Sequence, residues 1–275
     1  MKKIQFLASL LVVTLLFSCS DTVVVENRPD QSTSAPAIPG YFKKRVLIED
    51  YTGTWCGNCT RVSHAIELVK AQSDKVVTVA IHNGNDPYHF AGIGPLKDLI
   101  LPNSPLALPV SRLNRMNVWT FPETTNINEA IDLTSNNTTL GLAMNSTLNN
   151  GTIDLTVNVK FLDNYSNLKL VVYVLENGLV YQQRNYTSYY GGLPYLNDYV
   201  HNHVVRSTAT DILGDVITGT NTGATVTRNF SFAVPTNVAN SANISFVAFV
   251  VGADNKSLNA RESHINESQA FEINP

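Results

Sequence analysis

Apolar residues first form one block, Ile4 to Phe17, preceded by Lys2 and Lys3 and ended by Ser18-Cys19-Ser20-Asp21. A block this short reads as a secretory signal, because a membrane-spanning helix needs ~20 apolar residues. No later segment reaches that length. Between Asp21 and Gly40 the pattern lapses into Ser, Thr and Ala with Pro29, Pro36 and Pro39, the composition of a flexible tether. Patterning resumes at Arg45 to Tyr51, a short apolar run with β-branched content that predicts a buried strand. Val62, Ala65, Ile66 and Val69 then recur at helical spacing, and Val76 to Ile81 predicts a second buried strand. His82 to Leu108 reads as loop, Val110 to Arg115 as a strand, and Glu123 to Asn136 as a closing helix entered after Pro122.

Beyond residue 138 the period changes to two. Ile153, Leu155, Val157, Val159 and Phe161 share one face, while Asp154, Thr156, Asn158 and Lys160 share the other. Leu140 to Thr147, Lys169 to Leu175, Thr225 to Val234, Ile244 to Val251 and Glu267 to Ile273 add strands, with turn signals such as Asn149-Asn150-Gly151 between some of them. Six or seven strands over this length predict an all-β, immunoglobulin-like sandwich from 139 to 275. One connection is too long for the pattern. The insertion at about 181–215 holds Tyr181, Tyr186, Tyr189, Tyr190, Tyr195 and Tyr199, six of the eleven tyrosines. Tyrosine offers a large contact area at low entropic cost. Tyr186, Tyr189, Tyr190 and Tyr195 are therefore candidates for contacting a partner, unless the segment packs back on the body.

Composition narrows the function. Charged residues are 15% of the chain and the net charge is -3, which gives no electrostatic footprint for nucleic acid. Three cysteines are too few for a disulfide-stapled scaffold. His82, Asp86 and His89, and the pair His201 and His203, could suggest a metal, but neither set repeats a ligand spacing, so no metal and no cofactor is expected.

The candidate chemistry lies at Trp55-Cys56-Gly57-Asn58-Cys59. Strand, C-x-x-C at a helix start, then strand is a thioredoxin-like βαβ pattern, predicted over 41–138. A helix start presents free N–H groups and a partial positive charge, which stabilise a thiolate. Cys56 would be the attacking sulfur and Cys59 the resolving one. Asp50 lies six residues before Cys56, where thioredoxins carry a buried acid, though Glu49 is adjacent and competes for the role. Thioredoxin-like folds also place a cis proline facing the sulfurs. Pro109 before the predicted strand fits it, with Pro102 and Pro105 as competitors.

Two resemblances extend this reading. Leu16-Phe17-Ser18-Cys19 resembles a bacterial lipobox, which implies removal of residues 1–18, acylation (palmitate) of Cys19, a tether over 19–40 and a lipid anchor in the membrane. The Glu49-to-Cys59 segment, Arg112-Leu113-Asn114-Arg115 and Asp198-Tyr199-Val200-His201-Asn202-His203-Val204-Val205-Arg206 resemble the Omp28-related outer membrane lipoproteins of Bacteroidetes-type bacteria. That resemblance implies an outer-membrane location and a two-domain layout of α/β thioredoxin-like and β-sandwich parts. The expected function is thiol–disulfide exchange on an unidentified envelope or surface protein. The alternative is a non-enzymatic binding or adhesion lipoprotein, with a structural Cys56–Cys59 disulfide and partner contacts through the tyrosine-rich loop.

Overall fold

Buried β-branched strands govern this fold, and a computed structural model of the chain describes residues 39–134 and 137–275. The signal segment, Cys19 and all but the end of the tether lie outside the described residues. In chain order come β1 (Val46–Thr52), α1 (Thr60–Gln72), β2 (Val76–His82), α2 (Ile93–Ile100), β3 (Val110–Leu113), β4 (Asn117–Val118) and α3 (Asn128–Asp132). There follow β5 (Leu140–Asn149), β6 (Thr152–Phe161), β7 (Leu168–Glu176), β8 (Leu179–Arg184), β9 (Tyr195–His201) and β10 (Val204–Thr208). The last strands are β11 (Asp215–Ile217), β12 (Thr225–Ala233), β13 (Ile244–Val251) and β14 (Ser257–His264). The protein is mostly β-sheet.

The main sheet runs β14-β13-β7-β10-β2-β1-β3-β4, with β11 added to β7. β1 and β2 are parallel, as a strand–helix–strand crossover requires, and β3 returns antiparallel to β1. β10 joins the two halves of this order, pairing with β7 antiparallel and with β2 through Val204 and Ala80. Strands from both sides of position 138 thus share one sheet, and the described residues belong to one compact unit. The expected self-contained sandwich over 139–275 is corrected accordingly. Its smaller sheet, β12-β6-β5, does stack on β7 and β13, but those strands belong to the sheet that also contains β1.

Alternation sorts the core into faces. Leu170, Val172 and Val174 of β7 and Phe246, Ala248 and Val250 of β13 pack against Leu155, Val157 and Val159 of β6. The opposite face of the same strands presents Val171, Tyr173, Val247 and Phe249, which join Leu47, Val79, Ile81 and the apolar side of α2 in one layer. That is why β7 and β13 read as continuously apolar: both faces are covered. α1 lies on the same side of the main sheet as the small sheet, with Val62, Ala65, Ile66 and Val69 against Val46 and Ile48.

Several expected elements differ. α2 lies in the predicted loop; its Pro95 falls in the first turn, where a missing N–H costs no helical bond. The closing helix breaks into a 3-10 turn, Glu123–Thr125, and the short α3. Between them the Asn126 amide donates to the Pro122 and Thr120 carbonyls, a local alternative to helical pairing. The predicted strand Glu267 to Ile273 is a ribbon of isolated bridges, Ser268 to Asn145 and Ile273 to Phe42. β14 takes the edge position instead. Its buried Asn259 accepts from the Arg45 N–H and donates to the Lys43 and Leu140 carbonyls.

Candidate functional site

β1 ends at Thr52, and the chain turns through Gly53 to Cys59 into α1. Backbone bonds wind this turn: Cys56 N–H donates to Gly53 O, and Cys59 N–H to Cys56 O. Cys56 and Cys59 form a disulfide, with Cys59 as the N-cap residue of α1. The first turn of α1 carries no acidic side chain and the cap makes no side-chain hydrogen bond. The N–H groups of Arg61 and Val62 close on Asn58 O and Cys59 O, so what the helix start presents to the disulfide is the positive end of its dipole, uncompensated by an acidic side chain. From the segment after β2, Asp86 holds the turn in place. Its Oδ2 accepts from Thr54 N–H at 2.6 Å and lies 3.1 Å from His82 Nδ1. Burial pushes the Asp86 carboxyl up, but the bonds from His82, Thr54 and Tyr88 outweigh it and keep it below the usual range. The Trp55 indole stays about half exposed and donates to Asn83 O, its ring resting on Gly53 and Gly84.

The structure separates the two adjacent acids on β1. Glu49 faces the α2 side, fully buried, with Arg115 Nη2 at 3.5 Å and Tyr173 Oη at 3.3 Å from its Oε1. Asp50 faces the α1 side with Ile48 and Thr52. Its carboxyl is buried and its Oδ1 has no hydrogen-bond partner. Burial, helped by Glu123 and opposed by Arg61, pushes its pKa up to about 8. The Leu108–Pro109 bond is cis, as is Phe121–Pro122, whereas Pro102 and Pro105 follow trans bonds. The β1–β3 register ends at Tyr51 opposite Val110, so Pro109 lies just beyond, at the Thr52 end of β1.

The tyrosine-rich insertion is largely ordered as the β8–β9 hairpin, and the segment from Gln183 to Tyr190 straps over the cysteines. Arg184 N–H donates to Thr54 O at 2.8 Å and Tyr186 N–H to Gly57 O at 2.7 Å. The Gln183 amide donates to the carbonyls of Gly53 and Cys56, and Thr60 Oγ1 donates to Asn185 Oδ1. The Tyr186 ring lies on Gly57 so closely that a Cβ there would collide with it. Beneath this cover Cys56 is 4% exposed and Cys59 1%. Tyr189 stacks on His64 of α1 with centroids 4.2 Å apart, and Tyr190 donates to Glu67 at 2.9 Å. Tyr195 stands half exposed on β9, and Tyr186 keeps its outer face open. Sequence reasoning missed Gln183 and Asn185. The signal available was two amide side chains flanking an arginine at the end of an alternating Val-Tyr-Gln-Gln run.

His201 and His203 do not share a strand. His203 turns at positive φ between β9 and β10, its Nε2 2.8 Å from Lys70 Nζ, while His201 packs edge-on against His82 and Tyr199. Among the described residues no group of three or more His, Cys, Asp or Glu is placed to hold a metal ion.

The family described as outer membrane protein Omp28 matches residues 106–269. This chain belongs to the Omp28 family. The Omp28 match takes in Pro109, the strap, β9 and both layers of the stacked sheets, and begins after the cysteine turn and Asp50. Among solved structures, the chain is similar to HBP35 of Porphyromonas gingivalis, at 20% identity over 84% of this chain and 78% of that one, with a TM-score of 0.64. It is also similar to a domain of the outer membrane lipoprotein Omp28 from the same organism, at 19% identity over 48% of this chain and 92% of that one, with a TM-score of 0.33. The HBP35 likeness is one of fold. No curated protein matches the chain. Among the described residues, no helix of this Omp28-family chain is long and apolar enough to cross a membrane.

Proposed function

We propose that this Omp28-family protein is anchored to the outer membrane by acyl chains on Cys19 and carries out thiol–disulfide exchange on envelope or surface proteins through Cys56 and Cys59. The proposed framework is thioredoxin-like over about 41–138. The observation that carries the reading is the seat of the disulfide, at a helix start without a side-chain cap, in the turn directly after the strand that holds the buried Asp50 and at the strand end where the cis Pro109 lies. In the oxidising direction a substrate thiolate attacks Cys56 Sγ and the Cys56–Cys59 bond breaks. Cys59 leaves as a thiolate stabilised by the helix start, and Asp50 is the local source of a proton for it. A second substrate thiolate attacks its own sulfur in the mixed disulfide and releases Cys56. Two electrons pass from the substrate dithiol to the pair.

The burial of both sulfurs favours a second reading, a structural disulfide in a binding protein. The reduction potential of the full-length protein in glutathione buffers separates the two. A value between about -120 and -270 mV, with one sulfur reacting fast after reduction, is expected for exchange. A value below about -300 mV with no reactive thiol would establish the structural reading.

The strap makes a kinetic prediction of its own. Tyr186→Ala removes the ring over Gly57 and lowers the free energy of opening by ~1.4 kcal/mol or more, so reduction by an external thiol should speed up by about tenfold. An unchanged rate would mean that the strap is not the barrier to the sulfurs.

A further inference from the structure

A cavity of about 150 Å³ lies between α1, the α1-facing side of β1 and β2, and the end of β9. Most polar groups on its wall are already engaged. Lys70 meets His203, Glu67 accepts from Tyr190, and the Gln183 amide is bound to the cysteine turn. The Tyr199 ring packs edge-on against Tyr190 and His201. His203 Nδ1 also lacks a hydrogen bond but lies 3.4 Å from Glu262 Oε1, which leaves two groups over. Asp50 Oδ1 and Thr78 Oγ1 are buried and have no hydrogen-bond partner. They stand on adjacent parallel strands with Asp50 paired to Ala80 and Thr78 to Ile48, so both project from the same face into the same space. Buried polar atoms are nearly always satisfied, and two orphans converging on one cavity indicate something that satisfies them.

We propose that this cavity binds a small uncharged molecule carrying an amide group, held by the Asp50 carboxyl and the Thr78 hydroxyl. The size fits, since a cavity of this volume accepts a ligand of about six heavy atoms such as benzene. The absence of charge follows from the wall. Lys70 and Glu67 give the wall one charge of each sign, and burial keeps both Asp50 and His201 in their neutral forms. A charged ligand would meet a like charge beside the opposite one, and would shed its water against a neutral pair at Asp50 and Thr78. The amide follows from the donor set. A protonated carboxyl presents an O–H and a C=O side by side, and the matching partner is a C=O and an N–H side by side. The second N–H of a primary amide reaches the hydroxyl of Thr78. This inference does not rest on exchange chemistry, because the site is complete with the disulfide intact.

The test is an amide-detected NMR titration of the oxidised, full-length protein in detergent, with acetamide as the probe and methylammonium and acetate as controls. Acetamide is expected to give saturable shifts at Asp50, Thr78 and Tyr199. Asp50→Asn, which keeps a donor and an acceptor side by side, should retain the affinity, while Asp50→Leu should weaken it by about tenfold or more. Thr78→Val, which removes the second anchor at little change in volume, gives the same comparison if Asp50→Leu does not fold. Equal binding by all variants, saturation by methylammonium or acetate in place of acetamide, or no saturation by any probe would each overturn the proposal, the last by leaving water as the only occupant.

Discussion

Arg115→Ala is expected to destabilise the protein by about 3–5 kcal/mol, the cost of stranding one partner of a buried ion pair. Arg115 is fully buried in the β3–β4 turn. Its Nη2 donates to Tyr173 Oη at 2.5 Å and lies 3.5 Å from Glu49 Oε1, and its guanidinium stacks over the Phe249 ring at 4.6 Å. One side chain therefore ties β1, β7 and β13 together. Burial opposes its charge, but Tyr173, Glu49 and Tyr51 outweigh burial and hold its pKa above the ordinary value. Without it, Glu49 is left in an apolar layer with the Tyr51 and Tyr173 hydroxyls and with Arg112, its cross-strand neighbour on β3, whose guanidinium bonds backbone carbonyls instead. A loss of this size lowers the thermal midpoint by roughly 6–20 °C in a protein of this length. The double variant Glu49→Leu with Arg115→Met should recover most of the loss, because a buried pair replaced by apolar groups is often near neutral. If both variants lose equally, the packing of Arg115 rather than its charge holds the layers.

Stability should pass through a minimum near pH 8, and Asp50→Asn should abolish the fall that leads to it. The folded protein holds the Asp50 proton up to about pH 8, whereas the unfolded chain releases it near the ordinary carboxyl value of 3.8. Between those limits the folded state binds the extra proton, so stability declines as pH rises, by about 1.4 kcal/mol per unit. His201 works the other way. Burial lowers its pKa from 6.5 to about 4, so the unfolded state binds the extra proton and stability climbs over that interval. The two slopes offset each other up to pH 6.5. From there to pH 8 Asp50 acts alone, and a decline of about 2 kcal/mol is expected. Above pH 8 the half-buried Lys44 reverses the trend, its pKa lowered by desolvation from 10.5 to about 8. Urea unfolding at half-unit intervals from pH 5 to 9.5 reads the whole curve. Profiles of the parent and Asp50→Asn that run parallel between pH 6.5 and 8 would show that Asp50 is ionised in the fold.

The parts of this fold that were legible in the sequence are those in which one period dominates. The alternating residues of β6 are all buried on one side, and the helical positions Val62, Ala65, Ile66 and Val69 all face β1. The limits of β13 follow from its apolar run, Ile244–Val251, interrupted only by Ser245. β14 was hidden because its buried positions include Ser257, Asn259 and Ser263: the two serine hydroxyls bond carbonyls of their own strand, and the Asn259 amide reaches the distant backbone of Lys43 and Leu140. The shared sheet was hidden for another reason. β10 is five residues long and joins β2 through one bridge, and nothing local marks that pairing. The cysteine turn was legible from its motif. The choice between Glu49 and Asp50 needed the strand's phase, and the strap needed tertiary structure, since tyrosines that cover a neighbour and tyrosines that greet a partner look alike in a sequence.

The first described residues of the fold are clasped by its last. Phe42 bridges both Thr138 and Ile273, Gly40 N–H reaches Asn274 O, and the Arg45 guanidinium grips both oxygens of Glu272. A pull on the amino end therefore does not peel β1 from the sheet edge, because β1 is interior. It loads the clasp first, in which the opening and closing segments of the described fold share the strain. The mechanical weak point is that joint, remote from the cysteine turn, and tension can part it while the disulfide and its cover remain assembled.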